Sequence, residues 1–167
     1  MMKIDVNLFS ELSTSGIYTL LLFASKEVTL AIGKLGKQNF PRGYYTYTGS
    51  ALGKGAASLK HRIARHLRKE KRKFWHIDYL LADENVSVEA VIAAETNKKM
   101  ECNINSHIKG IKGAEVPVKG FGASDCRKNC GSHLLYFPEI ENADCLVQKL
   151  VRYLQSESGI LSVCVVH

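Results

Sequence analysis

Two groups of side chains in this sequence are of types that do chemistry. The first is Cys126, Cys130 and His133, spaced Cys-x3-Cys-x2-His, with Cys102 available upstream as a fourth donor. Four thiolate and imidazole donors suit tetrahedral Zn2+. The spacing is looser than a Cys-x2-Cys knuckle and no second paired motif accompanies it. Free thiols, with His133 lining a cleft, are therefore the competing reading. Five cysteines at irregular spacing fit reduced thiols in a cytosolic protein better than a disulfide framework.

The second group is a run of charge. The chain of 167 residues carries +7, and between Lys54 and Lys73 stand nine basic residues and one acid, Glu70. That segment holds +8, so the rest of the chain is close to neutral. A focused stripe attracts polyanions by releasing their counterions. The candidates for such contacts are Lys54, Lys60, Arg65, Arg68, Lys69, Arg72 and Lys73. A solvated helix face is the plainer alternative.

The elements that must position these groups can be read from periodicity. Gly16–Ser25 and Val28–Gly33 are rich in β-branched and aromatic residues, and the short break between them suggests a hairpin. Leu35–Gly43 reads as a loop because of Gly36, Asn39, Pro41 and Gly43. The third strand, Gly43–Gly49, sends Tyr45 and Tyr47 one way and Tyr44, Thr46 and Thr48 the other. A helix follows Gly55, with Leu59, Ile63 and Leu67 as its apolar stripe and Arg62 and His66 on an adjacent face. Lys54 and the amides around Gly55 would then form a phosphate seat at its N-terminus.

Phe74–Leu81 reads as a short helix with Trp75, Tyr79 and Leu80 inward, where His76 and Asp78 act as local hydrogen-bond partners. Val86–Glu95 is a strand, Lys98–Ile108 a helix and Ile111–Cys130 a long loop of the kind that carries function. His133–Phe137 and Leu161–Val166 are strands on either side of an amphipathic helix, Asn142–Gln155, with Leu146, Leu150 and Leu154 on one face. Residues 1–14 would be a short strand or an arm. The expectation is one domain over 1–167, α/β in the α+β sense, with a small mixed or antiparallel sheet flanked by helices. The longest apolar run, around Ile17–Ala24, is far short of the roughly 20 residues that span a bilayer. With Asp5 and Asn7 where a leader would be apolar, the protein is expected in the cytoplasm, away from membranes.

Three segments carry a resemblance. Gly16-Ile17-Tyr18 opens the first long strand. Tyr47-Thr48-Gly49 closes the third. Leu59-Lys60-His61-Arg62-Ile63-Ala64-Arg65-His66 follows on the basic helix. In this order they resemble the GIY-YIG endonuclease superfamily, with Tyr47-Thr48-Gly49 standing where that family has Tyr-Ile-Gly. The long interval between the first two segments, with Phe74–Leu81 and Gly120-Phe121-Gly122 to His133-Leu134, is similar to the Uri-type branch found mostly in archaea and some bacteria. Some members of that branch are fused to a base-excision glycosylase. The resemblance covers roughly residues 16–137.

It implies a nuclease that hydrolyses phosphodiester bonds in DNA with one Mg2+ or Mn2+. Glu101 would hold the metal, with Glu95 as second choice. Arg62 would clamp phosphate oxygens, Tyr18 or Tyr47 would accept a proton, and His66 would shuttle a proton or hold a phosphate. Branched DNA and RNA remain open as substrates, and a repair-protein partner or a homodimer as the source of targeting. Each residue has a plainer alternative: strand tyrosines tied into the core, a surface arginine, a helix-start acid favoured by the macrodipole. The same fold without the chemistry would be a nucleic-acid-binding module built on residues 54–73. With the thiol site filled it would be a zinc-stabilised interaction domain.

Overall fold

A computed structural model describes residues 15–124, 126–158 and 162–165. The strand or arm expected over 1–14, and the Leu154 side chain expected in a helix stripe, lie outside the described residues. The protein is α+β, as expected, with an antiparallel five-stranded sheet and a separate two-stranded ribbon.

β1 (Gly16–Ala24) is the central strand and is buried almost throughout. Its two edges pair with β4 (Gly43–Ala51) and β5 (Val86–Glu95), while β6 (Leu134–Phe137) and β7 (Ser162–Val165) extend the sheet outward. Because both edges of β1 are taken, the hairpin expected with β2 (Val28–Ile32) does not form. β2 pairs with β3 (Gly36–Phe40), a segment that reads as loop in the sequence. Gly36, at φ 69°, leaves the tight turn Gly33–Leu35, Pro41 follows the strand, and Asn39 is accommodated within it opposite Thr29. Cross-strand pairing outweighs the weak propensity of Gly-Lys-Gln-Asn.

Period-2 alternation along β1 divides the core. Tyr18, Leu20 and Leu22 pack with Tyr45, Tyr47 and Phe121 under α1 (Leu59–Leu67) and α2 (His76–Leu81). Ile17 and Leu21 face the other way, with Ile92, under α3 (Glu101–Lys109) and α4 (Ala143–Ser158). Each such buried side chain stabilises the fold by roughly 1.5–3 kcal/mol. Among the described residues, no helix is long and apolar enough to cross a membrane.

α2 is only six residues long and depends on a buried anchor. The carboxylate of Asp78 accepts from the amides of Phe74 and Trp75, both at 2.9 Å, and from Arg65 at 2.7 Å. The expectation that Asp78 serves structure holds. Asp78→Ala would strand two amides and a partly buried guanidinium, at a cost of about 2–4 kcal/mol. Thermal denaturation should then show a midpoint lowered by roughly 5–15 °C.

Candidate active site and thiol cluster

Strand register and helix pitch bring separate parts of the sequence to one polar cleft of about 360 Å3. Tyr18 comes from β1, Tyr47 from β4, Arg62 from α1, and Glu101 is the first residue of α3. All four line the cleft, together with Trp75, His76 and His133. Glu95, the second choice for a metal ligand, ends β5 opposite Gly16 and is not among the lining residues.

Two glycines keep the tyrosines in place. Tyr18 faces Gly49 in the β1–β4 register, and a Cβ there would come within 2.5 Å of the Tyr18 hydroxyl. Gly122, at φ 67°, passes close over Tyr47, and a Cβ would meet its ring at 2.8 Å. The amide of Gly122 donates to Nδ1 of His76 at 2.9 Å. The expectation that His76 braces its own short helix is therefore corrected. It braces the long loop instead, and that loop forms one wall of the cleft.

His66 departs from its expected role. It is 2 % exposed and does not line the cleft, so phosphate contact through its ring is excluded. Three residues after Ile63, it shares that residue's inward face of α1, and its Nε2 lies 2.8 Å from the Tyr18 hydroxyl. Burial, helped by the charges of Lys71, Arg62 and Arg65, pulls its pKa down to about 3. His66 is therefore a neutral imidazole that orients Tyr18. Burial first, and then Tyr47, pushes Tyr18 well above the usual tyrosine range despite the opposing pull of Arg62. The phenol stays protonated near neutrality.

Arg62 is half-buried and held at one end of its guanidinium. Its guanidinium donates to the carbonyl of Ser50 at 2.8 Å and lies 4.9 Å over the Trp75 ring. Its Nε is buried with no hydrogen-bond partner. Glu101 is 7 % exposed, with Oε1 3.7 Å from the exposed ammonium of Lys99, while its Oε2 is likewise buried and unpartnered. Buried polar atoms normally find partners, and the free carboxylate oxygen of Glu101 is one that a cation in the cleft could satisfy.

Several side chains of the basic segment are engaged within the fold. Arg65 is committed to Asp78, to the carbonyl of Arg72 and to the Trp75 face. Lys69 donates to the carbonyls of Leu81, Asp83 and Val86, and Lys71 to those of Arg65 and His66. Arg65 and Lys69 therefore brace α1 against its surroundings rather than standing ready for phosphates. Lys54, Lys60, Arg68, Arg72 and Lys73 are exposed, and Lys69 is exposed too despite its three internal bonds. The phosphate seat expected at Lys54 and Gly55 is also displaced. Gly55–Ala57 is a single tight turn, α1 begins after Ser58, and the Ser58 hydroxyl already accepts from the His61 amide.

Beside the cleft, Cys102, Cys126, Cys130 and His133 present donor atoms all within 4.8 Å of one another. This Cys3His set could hold a metal ion; its thiols are free and His133 lines the cleft, as one expectation had it, yet the four donors lie together. Burial would raise Cys126, but hydrogen bonds from the Cys130 and Lys128 backbone and the neighbouring thiols bring it down to about 6. Burial and the same neighbours push Cys102 up.

The molecule is thus an α+β protein with a polar cleft walled on one side by a thiol cluster. It belongs to the family described as Domain of unknown function DUF123, which matches residues 17–156. Neither the curated proteins nor the solved structures include a match.

Proposed function

We propose that this chain is a metal-dependent endonuclease of the GIY-YIG type, in its Uri-type branch, that hydrolyses phosphodiester bonds in DNA. The supporting observation is convergence: Tyr18, Tyr47, Arg62 and Glu101, on four separate elements, meet in one cleft. The ordered motifs that suggest those residues do not by themselves require such a meeting.

The orphaned Oε2 of Glu101 fits a hard divalent cation. One carboxylate oxygen leaves the other coordination positions to water and phosphate oxygens, which suits Mg2+ or Mn2+. Bound there, the ion would supply Lewis-acid polarisation of the phosphate and a more acidic water. The chain's own groups do the remainder. Arg62, held by Ser50 and Trp75, turns its other terminal nitrogen to the non-bridging phosphate oxygens as negative charge builds. Tyr18, oriented by neutral His66, and Tyr47 hold the attacking water by hydrogen bonds; a tyrosine takes up the water's proton only as phenolate or by passing its own proton on, as Tyr18 can to Nε2 of His66. The high pKa of Tyr18 disfavours its phenolate, so that form depends on the local positive charge of Arg62.

The exposed cations of the basic segment would track the backbone, and Phe74, 77 % exposed at the cleft, offers a face for a nucleobase. Changing Lys60, Arg68 and Arg72 to glutamine should lower the slope of log affinity against log salt by about 0.9 for each phosphate that the variant no longer neutralises. Fluorescence anisotropy with a labelled duplex at several salt concentrations reads this directly. An unchanged slope would move the DNA-binding surface elsewhere.

The proposal as a whole is tested by incubating the pure protein with duplex, single-stranded and branched DNA and with RNA, in Mg2+, Mn2+ or chelator. Cleavage of DNA that needs the metal is expected, and the preferred substrate defines the biology. Binding without cleavage under every metal would leave a nucleic-acid-binding module.

A further inference from the structure

We propose that Cys102, Cys126, Cys130 and His133 form a closed, structural zinc site that clamps α3 to the long loop. The geometry carries this. Ideal tetrahedral Zn2+ with Zn–S near 2.3 Å and Zn–N near 2.0 Å sets S···S at about 3.8 Å and S···N at about 3.5 Å. Here the Cys102 sulfur lies 3.4 Å from that of Cys126 and 3.6 Å from Nε2 of His133. A Cys102–Cys126 disulfide would need about 2.05 Å between sulfurs.

The four donors come from three places in the chain, yet each is held independently of a metal. Cys102 is on the first turn of α3. The residue before His133 is tied to the same helix, because Asn105 donates to the Ser132 carbonyl at 2.7 Å. The His133 amide donates to the Phe121 carbonyl at 2.9 Å, and the Cys126 amide to that of Ala123 at 3.1 Å. On either side of Cys130, Asn129 and Gly131 take φ values of 55° and 80°, which turn Cys130 back toward the cluster. Lys99, Arg127 and Lys128 line the adjoining cavity, and their charge offsets the net negative charge of a zinc ion bound by three thiolates.

Four protein donors leave no open position, so this metal would do no chemistry. Its effect is positional. Glu101 precedes Cys102, and His133 lines both the cluster cavity and the cleft. Zinc would therefore fix the cleft wall formed by the loop and by the N-terminus of α3. The inference does not depend on the nuclease reading, since zinc could be present in a protein that cuts nothing.

The test is metal analysis of the full chain purified without chelator, followed by exchange into Co2+. About one zinc per chain is expected, and the cobalt form should show thiolate charge-transfer and tetrahedral d–d bands. Cys126→Ser should lower zinc content at least tenfold, while Cys145→Ser, at an exposed cysteine outside the cluster, should leave it unchanged. The cobalt spectrum needs no variant, so misfolding of Cys126→Ser would not spoil the test. No stoichiometric zinc and no thiolate–cobalt band in the wild-type protein would overturn the proposal. So would a Cys102–Cys126 disulfide in protein purified under reducing conditions.

Discussion

Glu101→Gln is expected to lower metal-dependent cleavage by a factor on the order of 10³, while the protein stays folded. The substitution keeps the shape of the side chain and removes its charge. What disappears is the orphaned carboxylate oxygen, the only feature of Glu101 that a purely structural acid would not need. The structural cost is small. A helix-start acid contributes about 0.3–1 kcal/mol through the macrodipole, and the pairing with the exposed Lys99 adds little. Mn2+ titration followed by calorimetry should show weakened binding in parallel with the fall in turnover. Ordinary turnover in a well-folded variant would remove Glu101 from the site.

Arg62→Lys is the second large effect, an expected drop of about 10²–10³ in turnover. Lysine keeps the charge, so affinity for DNA should change by no more than a few fold. It cannot keep the geometry. The guanidinium bonds Ser50 with one nitrogen while its plane lies over Trp75, and in the proposed reaction its other terminal nitrogen would meet phosphate. An ammonium has no rigid fork with which to do all three. Removing the guanidinium from the ring costs about 0.5–2 kcal/mol of stability, so a thermal melt should accompany the kinetics. Unimpaired turnover at unchanged affinity would reduce Arg62 to a structural residue.

The parts of the molecule legible in the sequence are those where local pattern and tertiary role agree. Alternation along β1 and β4 puts Tyr18 and Tyr47 on determinate faces, and the Leu59–Ile63 stripe orients α1. Pairing is legible only where the partner is not contested. The expected β1–β2 hairpin fails because β4 and β5, distant in sequence, occupy both edges of β1, and no local signal records that competition.

The site shows the same division. Motifs lead to Tyr18, Tyr47, Arg62 and Glu101, but they mislead at His66, because a histidine one turn from an arginine looks exposed on a helical wheel. Its burial depends on the depth of the sheet beneath it. Arg65 and Lys69 resemble phosphate contacts in the sequence because net charge does not distinguish a free cation from one already bonded to Asp78 or to three carbonyls. The thiol cluster is partly visible as Cys126-x3-Cys130-x2-His133. Cys102 is a candidate fourth donor from its type alone, but its approach to the other three follows only from the packing of α3 against the loop.

The most direct test of the central claim is nicking of supercoiled plasmid by the wild-type protein and Glu101→Gln, side by side, in Mn2+ and in chelator. Nicked and linear product is expected from the wild type in Mn2+ alone, and none from the variant. Equal cutting by both proteins, or no cutting by folded wild-type protein that still binds the plasmid, would contradict it.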